Sequence, residues 1–154
     1  MNTSSASSPY LHVFKAAQVK GADKGFLSKD ITVQDLILNK SDVHHIFPKN
    51  YLKKAGMTKG RYNQIANYAI TQSEINIAIG DRAPKEYFKQ LQEQVNGGKK
   101  KYGGITEPGE LRDNYRSHCI PDGAEAMTSE EFEDFLVERR QLIAAKMEAY
   151  FRKL

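Results

Sequence analysis

The sequence predicts an α+β fold. A short strand, a loop, a second strand and a short helix occupy the middle of the chain. Helices flank this unit, and a long amphipathic helix closes the C terminus. Three observations predict it. Asp42–Phe47 and Ile65–Thr71 are short runs rich in the β-branched and aromatic residues that suit half-buried strands. Ser73 to Ile79 carries Ile75, Ile77, Ala78 and Ile79 and is closed by Gly80, a common helix stop. Thr128 to Leu154 repeats apolar residues at helical spacing.

Tyr10–Lys15 is too short a pattern to separate a strand from a helix start. Gly21–Gly25 reads as a turn. Thr32 is an N-cap, and Val33, Leu36 and Ile37 share one face of the short helix after it. The first strand ends at Pro48. Lys49–Asn63 reads as a long basic loop broken by Gly56 and Gly60, and loops of that length usually carry function. After the second strand and its helix, Pro84 opens another helix. Its buried stripe is Tyr87, Phe88, Leu91 and Val95, up to Gly97-Gly98. The run from Lys99 to Gly109 reads as loop. Thr128–Glu131 has the form of a capping box. The stripe that follows is Phe132, Phe135, Leu136, Leu142, Ile143, Met147, Tyr150 and Leu154, which is core or interface rather than a cofactor site.

Composition narrows the classes. At 154 residues the chain is long enough to bury its own core, and 40% hydrophobic with 27% charged residues is ordinary for a globular protein. Residues 1–9 read as a disordered leader, and 10–154 as one domain. The leader has no basic region and no apolar stretch, so it is not a secretory signal. No apolar run is long enough to span a bilayer, so no membrane partner is expected. The lone Cys119 cannot pair within the chain or build a four-cysteine zinc site, and the default compartment is the cytoplasm. Net charge is +4, but the segment between Ile46 and Ser73 carries +5 through Lys49, Lys53, Lys54, Lys59 and Arg61, leaving −1 elsewhere. That concentration suits an approaching polyanion; a solvated lysine-rich loop is the plain alternative.

Beside it lies Asp42-Val43-His44-His45-Ile46-Phe47-Pro48, followed by Asn67 and Asn76. Phosphodiester hydrolysis needs a group to take a proton from water, and positive charge to neutralise phosphorus and the departing oxygen. A histidine accepts the proton near neutral pH. A hard divalent cation held by two side chains and the substrate supplies the charge. Adjacent residues of a regular strand face opposite sides, so His44 and His45 serve one site only where the strand twists or ends. Asp42 is either a partner for a His ring nitrogen or a turn residue. His12 reads as packing or surface, and His118-Cys119 is a weak metal pair without companions.

Those residues, in that order, resemble an HNH endonuclease of the ββα-metal (His-Me finger) superfamily. The resemblance implies that His44 and Asn76 bind the metal, that His45 is the general base and that Asn67 ties the loop. The core then spans about 41–80, with a helical remainder at 84–154. Mg²⁺ is the first expectation, with Mn²⁺, Ni²⁺ or Zn²⁺ also compatible with a His ligand. Further likeness runs through His44–Lys49, Pro84-Lys85-Glu86-Tyr87-Phe88 and Phe135-Leu136-x-x-Arg139-Arg140. This stretch, from about Phe26 to Leu154, is similar to the C-terminal nuclease domain of GmrSD-type, type IV modification-dependent restriction enzymes and related phage-defence proteins. It implies double-stranded DNA, modified or not, as substrate. It also implies a sensor domain that binds NTP, in the same or another chain. One departure matters: a His–Asn ligand pair is neutral, so weak metal binding without DNA is expected.

The expected activity is thus a metal-dependent cut leaving 5′-phosphate and 3′-hydroxyl ends, with phosphate contacts from Lys49, Lys53, Lys54 and Arg61. Whether the domain nicks or forms a homodimer to cut both strands stays open. The rivals are a DNA-binding or partner-docking module that does not cut, and a structural zinc fold using His44, His45 and His118.

Overall fold

The computed structural model describes residues 8–39, 41 and 43–154. The chain is mostly helical, with a small two-stranded antiparallel sheet and a long C-terminal helix. The elements run α1 (Pro9–Lys20), α2 (Val33–Leu38), β1 (Val43–His45), α3 (Lys49–Lys54), α4 (Lys59–Tyr62), β2 (Tyr68–Ile70), α5 (Ser73–Ile79), α6 (Pro84–Val95), α7 (Pro108–Ser117) and α8 (Phe132–Arg152).

Helix α1 settles the ambiguous start. Ser8 caps it by accepting from the Tyr10 amide, and Pro9 takes the first-turn position where a missing N–H costs nothing. Of the expected leader, Pro9 therefore belongs to the first helix and Ser8 caps it. Thr32 caps α2 through a reciprocal box with Asp35, as its sequence predicts. Val33 and Leu36 are buried there, while Ile37 is largely exposed.

The strands pair Val43 with Ile70, His44 with Ala69 and His45 with Tyr68. Both are shorter than their apolar patterns suggest. Ile65–Asn67 forms a 3₁₀ turn before β2, so Asn67 precedes the strand rather than lying on it. The Ile46 amide still donates to the Asn67 carbonyl at 2.8 Å, extending the pairing by one step. The expected basic loop at Lys49–Asn63 is instead two short helices, α3 and α4, separated by Gly56 at φ +90°. Burial explains the difference: Leu52 on α3 and Tyr62 on α4 anchor in the core, which lets short helices persist without a strong cap.

Helix α5 places Ile75 and Ile79 inward, four residues apart on one face, and leaves Ile77 exposed. Helix α6 begins at Pro84 and buries the expected Tyr87, Phe88, Leu91 and Val95. The Gly/Pro-rich run contains the start of an unexpected helix, α7. Pro108 opens it, and Leu111 and Asn114 are its buried residues. An apolar stripe that sparse gives little periodic signal.

The Thr128 capping box forms, first as a 3₁₀ turn at Ser129–Glu131 and then as α8. Phe132, Phe135, Leu136, Arg139 and Ile143 are the buried residues of α8. Phe132 and Phe135 both pack on Phe47, with ring centroids 5.1 and 4.8 Å away. The predicted stripe breaks at the exposed Leu142 and fades beyond Ile143, where Met147 and Tyr150 are half-buried and Leu154 is exposed. Among the described residues, no helix is long and apolar enough to cross a membrane.

Candidate nuclease site

Strand alternation decides the first feature of the site. His44 faces inward and is buried, while Val43 and His45 are half-buried. The His44 ring stacks on Phe26 at 5.9 Å. The His45 ring lies edge-on to Tyr62 and Tyr68, at 6.2 and 5.2 Å. The histidines thus have separate partners, yet both line one cleft of about 650 Å³ with Lys49, Asn50, Asn76 and Asp81. A larger groove of about 1200 Å³ lies along α6, α7 and α8 and contains none of these six residues.

Asn76 reaches the cleft from α5, where it sits one turn from the helix start. Its side-chain Oδ1 is hydrogen-bonded to His44 Nδ1. An amide oxygen only accepts, so His44 carries its proton on Nδ1 and its lone pair on Nε2. That Nε2 is buried without a partner. Burial drives the His44 imidazole down to about 4, against the opposing effect of the Asn76 bond. The histidine is therefore neutral at physiological pH, as a metal ligand must be.

His45 Nε2 is bonded to Asn63 Oδ1 at 2.7 Å. Burial lowers its affinity for a proton; the Asn63 bond opposes this and the Lys49 charge adds to it. His45 is consequently unprotonated near neutral pH, the state a proton acceptor needs.

Asn67 is fully buried and spends its amide on the loop. Its Oδ1 accepts from the Phe47 amide at 2.8 Å, and its Nδ2 donates to the carbonyls of Phe47 and Tyr62, both at 3.1 Å. It ties the two ends of the α3–α4 segment together. Arg139 of α8 supports the same region from behind. Its guanidinium donates to the carbonyls of Ala66 and Tyr68 at 2.8 and 2.7 Å, and to that of His118 at 3.1 Å.

The predicted cations divide into two groups. Lys49 lines the cleft, and Lys53 and Lys54 are exposed on α3. Arg61 is exposed on α4 but engaged with Glu133 at 3.1 Å. The expected role of Asp42 lies outside the described residues.

The donor set can be tested against the metal that the resemblance implies. Among the described residues, no group of three or more His, Cys, Asp or Glu converges as a metal site. His118 is occupied elsewhere: it accepts from Gln18 Nε2 at 3.2 Å and donates to the Lys24 carbonyl at 2.7 Å. The donors therefore do not suit a four-ligand structural zinc site. One neutral imidazole nitrogen and one amide oxygen do suit a divalent cation that keeps waters and takes substrate oxygens. His44 Nδ1 and Asn76 Oδ1 face each other, so a cation held by both would replace their hydrogen bond, with the imidazole proton on Nε2.

Sequence reading missed Asn63, Asp81 and the supporting role of Arg139. Asn63 sat in an apparent loop and carried no signal of its own. Asp81 reaches the cleft because Gly80 ends α5 at φ +57°, ψ −128°, a conformation suited to glycine. Arg139 occupies a helical position whose burial only tertiary packing reveals. Compared with known proteins, the chain matches no family model, no curated protein and no solved structure.

Proposed function

We propose that this chain is a metal-dependent DNA endonuclease of the HNH, ββα-metal type. The observation that carries the reading is the shared cleft. A neutral His45, the bonded pair His44–Asn76 and the cation Lys49 line one opening. The strand–strand–helix order and the grip of Asn67 on the loop also support it.

His44 and Asn76 would hold the divalent cation, which when bound supplies positive charge for the phosphorus and the departing oxygen. His45 takes the proton from the attacking water. Asn67 keeps the α3–α4 segment in register, so that Lys49, Lys53 and Lys54 face the phosphate backbone. Arg61 contributes less, because Glu133 already neutralises it. The resemblance to modification-dependent restriction enzymes supports a wider proposal. On that proposal, this is the cutting part of a phage-defence system, acting on double-stranded DNA with a separate NTP-binding sensor.

Cleavage of supercoiled plasmid by wild type and His45→Ala, each in Mg²⁺, Mn²⁺ and EDTA, tests the activity. Metal-dependent nicking that is lost in the variant supports the reading. Equal nicking by the variant sinks the assigned base.

One observation favours a second reading, a non-cleaving DNA-binding or docking module. Lys53 and Lys54 are exposed on α3 and would grip DNA whether or not the site cuts. Salt-sensitive DNA binding with no cleavage in any metal, even with the sensor added, would select it.

A further inference from the structure

We propose that Asn63 is a positioning residue that fixes which nitrogen of His45 is free to take a proton. The inference rests on the nuclease reading and specifies how its base is held.

Asn63 Oδ1 accepts, so the hydrogen lies on His45 Nε2 and the lone pair on Nδ1. His45 lines the cleft beside Lys49 and Asn50, and with Nε2 committed to Asn63 the nitrogen with a lone pair to accept a proton is Nδ1.

Asn63 is itself held from both sides. Its amide donates to the Lys59 carbonyl at 3.0 Å, closing α4, and the carbonyl of the preceding Tyr62 accepts from Asn67. The imidazole stands edge-on to Tyr62 and Tyr68, which limits ring rotation. An orienting acceptor behind a histidine base sets its tautomer and ring plane, as the carboxylate does in hydrolase triads. Asn63 supplies that acceptor without a charge, which leaves the cleft free of a second anion.

Three of the four histidines then carry an assigned proton. His44 carries its proton on Nδ1, bonded to Asn76. His45 and His118 carry theirs on Nε2, bonded to Asn63 and to the Lys24 carbonyl. His12 is exposed.

Long-range ¹H–¹⁵N correlation on the full chain, ¹⁵N-labelled at histidine and kept in EDTA, reads this pattern directly. Wild type and Asn63→Asp, which retains an acceptor, are expected to show a slowly exchanging Nε2–H on His45. Asn63→Leu is expected to lose it, while the His118 signals stay fixed and report an intact fold. A His45 proton on Nδ1 in wild type overturns the proposal, as does a protected Nε2–H that survives in Asn63→Leu. Plasmid nicking is measured in parallel. The turnover rate of Asn63→Leu is expected to fall about tenfold or more with KM little changed, and Asn63→Asp to recover much of it. Unchanged turnover in Asn63→Leu also overturns the positioning role. Absence of nicking in wild type bears on the nuclease reading alone, because the proton assignment is read without cleavage.

Discussion

Asn67 holds Phe47 by both of its backbone groups, accepting from its amide at 2.8 Å and donating to its carbonyl at 3.1 Å. Phe47 in turn presses its ring between Phe132 and Phe135 of α8. One amide side chain thereby couples the turn after the histidines to the C-terminal helix.

Replacing that amide leaves three buried backbone groups without partners: the Phe47 N–H and the carbonyls of Phe47 and Tyr62. At about 1–3 kcal/mol for each unsatisfied group, Asn67→Ala should lose about 3–5 kcal/mol after partial relaxation. Urea unfolding checks this. A loss under about 1 kcal/mol would show that the loop does not depend on Asn67.

Arg139 is buried and, among the described residues, forms no ion pair with a carboxylate. Burial lowers its pKa only to about 10, so it stays charged at neutral pH. Two effects oppose each other in Arg139→Met. Removing a buried charge relieves desolvation, while three carbonyls lose charge-assisted bonds. The bonds are expected to win, with a net loss of about 2–4 kcal/mol. A thermal midpoint equal to or above wild type would reverse that ranking.

His118 makes stability depend on pH. Gln18 of α1, the Lys24 carbonyl, and Arg139 and Lys146 of α8 face it. Burial lowers its pKa from 6.5 to about 3, and both nearby cations push the same way. Between those values the unfolded chain binds a proton that the folded chain refuses. Stability is therefore full above about pH 6.5 and is lost as pH falls, at up to about 1.4 kcal/mol per pH unit. His44, lowered to about 4, adds a contribution of the same sign. Urea midpoints measured from about pH 7.5 down to about pH 4.5 should decline, and His118→Gln should flatten the decline. An unchanged slope in that variant would remove His118 from the account.

DNA affinity should separate the cations by their partners. Lys53→Ala and Lys54→Ala should each reduce the slope of log K against log salt by about 1. Arg61→Ala should change it less, because its guanidinium already pairs with Glu133. Fluorescence anisotropy across a salt series measures all three. An Arg61 effect as large as the lysines' would mean that the pair opens on DNA.

Metal binding gives a further check. His44→Ala and Asn76→Ala should each weaken Mn²⁺ binding about tenfold or more, read by electron paramagnetic resonance in the presence of uncleavable DNA. Retained affinity in both variants would place the cation elsewhere.

Local chemistry made much of the chain legible before any tertiary contact was known. Pro84 opens α6, Gly80 closes α5, and Thr32 and Thr128 form their capping boxes, because each acts on its own few backbone groups. The buried stripe of α6 followed from helical period. The order His44, His45, Asn67, Asn76 supplied the candidate site through its resemblance to the HNH pattern. What escaped the sequence was whatever long-range burial decided. Leu52 and Tyr62 turn an apparent loop into two helices. α7 forms on a sparse apolar stripe. Asn63 becomes the partner of His45 only when α4 folds against β1. Arg139 reads as a surface cation on a helix until α8 lays it across the carbonyls of Ala66, Tyr68 and His118. The sequence alone determined the starts of α2, α6 and α8, the end of α5 and which residue types stand near the histidine pair, since these depend on neighbours within a turn or two. Tertiary structure alone decided which side chains share the cleft, which residues face His44, His45 and His118, and that Arg61 pairs with Glu133, since these depend on groups that only packing brings together.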